Sequence, residues 1–168
     1  GSEFGSRNDG YPGLAAASGL GLANMRTGEH ALAYEAIEAG SIDLMDAYST
    51  DGKLLRFKLR VLVDDRQFFP PYNAAPMVRG ATLAEHPELE RALSMLAFQL
   101  HDLDAQALNY IVDAEGVSPK NAARAFLESE ELIGGVSESA AGARKAFAGV
   151  RKSPPTPGSV ATTRPGLL

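Results

Sequence analysis

Residues 41–63 read SIDLMDAYSTDGKLLRFKLRVLV, and the assignment of this stretch decides the fold. From Leu54 to Val63, Leu55, Phe57, Leu59 and Val61 alternate with Arg56, Lys58 and Arg60. That period of two predicts a half-buried strand with its basic positions in water. Just before it, Ser41–Tyr48 mixes Ile42, Leu44, Met45 and Ala47 with Asp43 and Asp46, and the Ser-Thr-Asp-Gly turn signal at 49–52 closes the segment. A second strand is expected there, delivering Tyr48 at its carboxyl end.

Working outward, Glu29–Ala39 places Leu32, Ala33, Ala36 and Ile37 on one helical face and is followed by Gly40, a helix with its stop signal. Tyr11–Ser18 reads as a shorter helix, capped by Asp9, opened by Pro12 and stopped by Gly19. On the other side, Asp64–Pro71 holds two acids, two aromatics and two prolines and suits an irregular connection, and Asn73–Val78 is short and apolar. Together they form a candidate hinge. From Thr82 the pattern turns helical. Thr82 and Glu85 have capping-box spacing, and Pro87 opens a run through Leu89, Leu93, Leu96 and Leu100. A further helix over Asp104–Ala114 turns Leu108, Ile111 and Val112 inward, and Ser118-Pro119 starts another carrying Ala122, Ala123, Phe126 and Leu127. Strand and helix first, helices afterwards, predict an α/β core with an appended helical part.

A chain of 168 residues is long enough for one proper core. Its net charge of −5 argues against nucleic acid as a partner, because no basic stripe is present to neutralise phosphates. Residues 144–168 hold five cations and no acid, leaving −10 on the rest; with Pro and Gly dominating from Ser153 onward, a solvated, disordered tail is expected. The absence of cysteine excludes disulfides and thiolate chemistry. No apolar run reaches the roughly 18 residues that suggest a membrane-spanning helix.

Little in the chain suggests catalysis. His30, His86 and His101 have no metal-ligand spacing, and the pairs Asp64-Asp65 and Asp43 with Asp46 diverge if they lie on strands. No nucleophile elbow, phosphate loop or dinucleotide fingerprint occurs, so neither an enzyme nor a cofactor or metal is expected. The tyrosines are more informative. With no tryptophan, Tyr11, Tyr34, Tyr48, Tyr72 and Tyr110 are the amphipathic rings available, and Tyr48 and Tyr72 sit at a turn or loop beside apolar segments.

Three blocks carry a family resemblance: FGSRNDGYPGL at 4–14, DLMDAYSTDG at 43–52 and DDRQFFPPYNAAPMVR at 64–79, with NYIVDAEG at 109–116 as a helical fourth. In their order and spacing the chain resembles the osmoprotectant-type substrate-binding proteins of ABC transporters, over about Phe4 to Leu132. The resemblance implies a type II periplasmic-binding fold and an aromatic cage for a quaternary amine such as glycine betaine, choline or carnitine. It implies a permease as partner and a periplasmic or otherwise extracytoplasmic location. Residue by residue, Tyr48 and Tyr72 match cage tyrosines and Arg7 a carboxylate-binding arginine, a role suited to its fork. Thr50 and Asp51 follow the cage turn and are expected to orient it.

One departure matters. The family's first segment, which builds most of lobe one, has no counterpart here. The expected architecture is therefore one complete lobe plus a partial second lobe made mainly of helices. Residues 1–4 read either as a cloning scar or as a natural lead, 5–75 as ligand-binding lobe two, 76–133 as the return segment and helices of partial lobe one, and 134–168 as a low-complexity tail. An incomplete lobe would favour self-association through uncovered apolar surface. The alternative to solute capture is a non-binding half-protein that associates with another lobe or with a permease.

Overall fold

The computed structural model describes residues 1–57, 59–135 and 137–152, together with the backbone of 158–161. In chain order the elements are α1 (Ser2–Ser6), α2 (Tyr11–Ser18), α3 (His30–Glu38), a 3-10 turn (Gly52–Leu55), β1 (Arg60–Leu62), α4 (Gly80–Glu85), α5 (Glu88–Ser94), α6 (Asp102–Asp113), α7 (Pro119–Ser129), a second 3-10 turn (Glu138–Ala140), α8 (Ala141–Lys152) and β2 (Gly158–Ala161). They divide into two compact units. One contains residues 1–48 and 57–71 with β2; the other contains 49–56 and the chain from 72 through α8.

In the first unit α2 spans the expected residues, but its N-cap is Gly10. Asp9, expected to cap it, instead faces Arg7, whose Nε donates to its Oδ1 at 2.8 Å. A charged partner two residues away outcompetes the helix terminus for this carboxylate. Helix α3 ends in a Schellman motif: Ser41 N–H donates to Ala36 O at 2.9 Å and Gly40 N–H to Ile37 O at 3.1 Å, with Gly40 at φ 68°. Its buried centre is Tyr34, while Leu32 is exposed, because the ring of Phe57 packs at 5.4 Å from that of Tyr34.

The strand expected over Ser41–Tyr48 does not form; among the described residues the segment has no ladder partner and runs irregularly. The strand expected over Leu54–Val63 shrinks to β1, paired in parallel with β2. Leu55 and Phe57 are buried and Arg56 exposed as the alternation requires, but Val61 is exposed. Lys58 lies outside the described residues. A 3-10 turn followed by a bend alternates inward and outward over four residues much as a strand does, so the short pattern did not separate them.

The second unit is helical. Leu55, Ala107, Ile111, Ala122, Phe126, Phe147 and Val150 form its core, with the rings of Phe126 and Phe147 edge to face at 6.2 Å. Ser118 caps α7 as expected, its Oγ accepting Asn121 N–H at 3.3 Å. Thr82 lies inside α4 rather than capping it, since Arg79 holds the N-cap position. Helix α5 stops at Ser94, so Leu96 and Leu100 are exposed rather than turned inward. In α7 the inward alanines are Ala122 and Ala125, whereas Ala123 faces out.

The expected disordered tail begins too early. Residues 138–152 instead form a 3-10 turn and α8, which buries Ala140, Ala143, Phe147 and Val150. Arg144 and Arg151 secure it: Arg151 Nε lies 3.1 Å from the buried Asp104 carboxylate and its Nη1 2.7 Å from Glu130, while Arg144 pairs with Glu128. The remainder of that tail, 153–157 and 162–168, lies outside the described residues.

Candidate functional site

Tyr48 closes an irregular segment of the first unit, and more than half of its surface, 57%, is open. Aromatic side chains surround it on one side. The His30 ring, on the first residue of α3, stands 5.7 Å from that of Tyr48 at 58° and edge-on to Tyr34 at 5.5 Å. Tyr34 is fully buried and meets Phe57. The Asp46 carboxylate lies 3.7 Å from His30 Nδ1. A chain of rings thus runs from the buried interior of this unit to the exposed face of Tyr48.

The same unit holds Arg7. Its guanidinium grips Asp9 through both Nε and Nη2, so an anion approaching this edge of the fork competes with Asp9. A second aromatic group sits near the amino end, where Phe4 and Phe69 lie 6.3 Å apart and Phe68 meets Phe69 at 5.0 Å. The loop that presents Phe68 and Phe69 is wound around Asp64, whose carboxylate accepts Phe68 N–H at 3.0 Å and Phe69 N–H at 2.9 Å. The amides of Phe69 and then Phe68 hold the Asp64 carboxyl below its ordinary range, outweighing the small effect of burial.

In the second unit the turn after Tyr48 is fastened to α6. The Asn109 side-chain amide donates to Thr50 O at 2.8 Å, and that of Gln106 donates to Ser49 O. These donors satisfy carbonyls that no strand ladder takes up. Gly52 follows, buried so closely on α6 that a Cβ there would lie 2.4 Å from Tyr110 N. Asp51 precedes the 3-10 turn and its carbonyl accepts Leu54 N–H at 3.1 Å. Tyr72 opens the irregular stretch before α4 with 60% of its surface exposed.

Of the five residues singled out in the sequence, Tyr48 and Arg7 therefore belong to the first unit, and Thr50, Asp51 and Tyr72 to the second. Sequence reasoning passed over His30, Gln106, Asn109 and the packing role of Gly52. The available signals were His30 lying four residues before Tyr34 at the start of a helix, and Gln106 and Asn109 spaced to share one helical face. Among the described residues, no group of three His, Asp or Glu side chains is arranged to hold a metal. No helix among them is long and apolar enough to cross a membrane.

Residues 1–129 match the family model described as the substrate binding domain of ABC-type glycine betaine transport system. The glycine-betaine-binding protein of Pseudomonas aeruginosa is 38% identical over 133 residues, covering 78% of this chain and 43% of the relative. The carnitine transport binding protein OpuCC of Listeria monocytogenes is 31% identical over 127 residues, covering 76% of this chain and 41% of the relative. A crystal structure of a glycine betaine/carnitine/choline ABC transporter superposes with a TM-score of 0.68 at 34% identity, over 78% of this chain and 48% of that one. The chain thus spans less than half the length of these relatives. The superposition assigns the type II periplasmic-binding-protein-like fold. By this match over residues 1–129, the chain belongs to the family of substrate-binding domains of ABC-type glycine betaine transport systems.

Proposed function

We propose that this chain forms part of the solute-binding component of an ABC importer and captures quaternary amines, glycine betaine and choline among them, without chemical turnover. A quaternary ammonium has no N–H to donate, so aromatic faces are the natural means of holding it, at about 0.5–2 kcal/mol per ring. The observation that carries the reading is Tyr48: a ring open to solvent on one side and braced by His30 on the other, in a chain whose family is built around betaine uptake. In this reading Tyr72 supplies a second ring, Arg7 takes a ligand carboxylate in place of Asp9, and Thr50 and Asp51 keep the turn beside Tyr48 in shape. The partner is a transporter permease, and the place of work is outside the cytoplasmic membrane.

Isothermal titration with glycine betaine, choline, carnitine and proline betaine tests this. Tyr48→Ala should weaken binding of all four by about 2- to 30-fold, the loss of one cation–π contact. Arg7→Ala should weaken glycine betaine, carnitine and proline betaine and leave choline unchanged, because choline alone of the four lacks a carboxylate. Equal affinities for wild type and Tyr48→Ala would remove Tyr48 from the site.

A second reading rests on a separate observation. Met95, Leu96, Phe98, Leu100 and Leu103 are all exposed in one short stretch, with Phe98 94% exposed. Such an apolar run marks an association surface and fits an interaction module that works by joining another lobe or a permease.

A further inference from the structure

We propose that His30 is the positioning residue of the quaternary-amine site: it sets the orientation of the Tyr48 ring by linking it to the buried aromatic interior. The proposal rests on the binding role given above to Tyr48. The geometry that carries it lies within one unit.

Tyr48 ends a segment that, among the described residues, no strand ladder holds. Backbone hydrogen bonding of that kind therefore does not fix the direction of its side chain. The contact with the His30 ring bears on that direction. Tyr34 is immobilised by full burial and by Phe57. His30 stands perpendicular to Tyr34 at 5.5 Å and tilts against Tyr48 at 5.7 Å, distances at which aromatic pairs attract. The side chain of His30 is 28% exposed, so it occupies the boundary between the packed rings and the open one. The Asp46 carboxylate lies 3.7 Å from Nδ1, beyond hydrogen-bond reach. A cage ring acts on a cation through its face, and a freely turning ring loses orientation entropy on binding. Holding Tyr48 in place before the ligand arrives should raise affinity without any contact between His30 and ligand.

The test follows the ring itself. The whole chain is labelled on its tyrosine rings, and carbon–proton spectra are recorded for wild type and for His30→Ala, His30→Leu and His30→Phe, each titrated with tetramethylammonium. Tyr34 signals report that the unit is folded. In wild type the Tyr48 resonances should be displaced by the neighbouring ring. They should lose that displacement in His30→Ala and in His30→Leu, which keeps bulk but has no ring, and regain it in His30→Phe. Tetramethylammonium affinity should fall several-fold in the first two and recover in the third. Unchanged Tyr48 resonances in His30→Ala and His30→Leu overturn the proposal, as does a His30→Phe chain that behaves like His30→Ala. If tetramethylammonium leaves wild-type Tyr48 unmoved while His30→Leu releases the ring, the binding role of Tyr48 falls and the ring coupling alone stands.

Discussion

Single side chains decide what the tyrosine turn tolerates. Gly52 sits against backbone atoms of α6, with the space for a Cβ already taken by Tyr110 N at 2.4 Å and Asn109 C at 2.7 Å. A main chain inside a helix yields less readily than the end of a flexible side chain. Gly52→Ala should therefore destabilise the chain by about 1–3 kcal/mol, in the range of overpacked cores, as read from the urea midpoint at constant slope. Asn109→Ala should act more gently, by about 0.5–1.5 kcal/mol for one lost hydrogen bond. At this scale the sequence singled out Tyr48, Thr50, Asp51 and Tyr72 as candidates through turn chemistry and ring type. The partners were not legible: the pairing of Asp9 with Arg7 competes with a helix cap over two residues, and the meeting of His30 with Tyr48 depends on the irregular course of residues 41–48.

Among the elements, α8 carries the most consequence. It supplies Phe147 and Val150 to the core of the second unit, and Phe147→Ala should cost about 3–5 kcal/mol of stability. The spacing of Ala143, Phe147 and Val150 is that of one helical face, so the helix was readable; the run of prolines and glycines beyond Ser153 drew the reading toward disorder. Helices α2 and α7 were legible from their Pro, Ser and Gly signals because caps act locally. The strand at 41–48 was not, since four apolar residues among two acids fit a loop as well as a ladder.

Helix α8 is also sensitive to acid through Glu128, whose side chain is only 4% exposed. Burial raises its pKa, but Arg144, Ser137 N–H and Arg124 together outweigh that and leave the folded value below the ordinary 4.5. A carboxyl lowered on folding stabilises above its unfolded pKa and loses that contribution as pH falls through the folded one. The difference in urea midpoint between wild type and Glu128→Gln should hence be constant near neutrality and shrink below about pH 4.5.

For the whole molecule, the exposed apolar run around Phe98 predicts concentration-dependent mass. Sedimentation should give a weight that rises with concentration in wild type and stays monomeric in Phe98→Asp; a constant monomer in both would end the association reading. The division into units was only partly legible from the sequence. The sequence divided the chain into 5–75 and 76–133, whereas the compact units change over between Pro71 and Tyr72. The assignment of 49–56 to the helical unit was not foreseen, because it depends on Leu55 entering a core built from helices about fifty residues or more further along.

That early insertion has a bearing on a severed backbone. The chain passes from one unit to the other after Tyr48, after Arg56 and after Pro71, so a cut in the exposed stretch following Tyr72 frees neither unit. The amino-terminal fragment would still have Leu55 seated among Ile111, Phe126 and Phe147 and its Thr50 carbonyl bonded to Asn109. The two pieces should therefore travel together as a nicked complex until denaturant withdraws that plug, and separately expressed halves should complement one another.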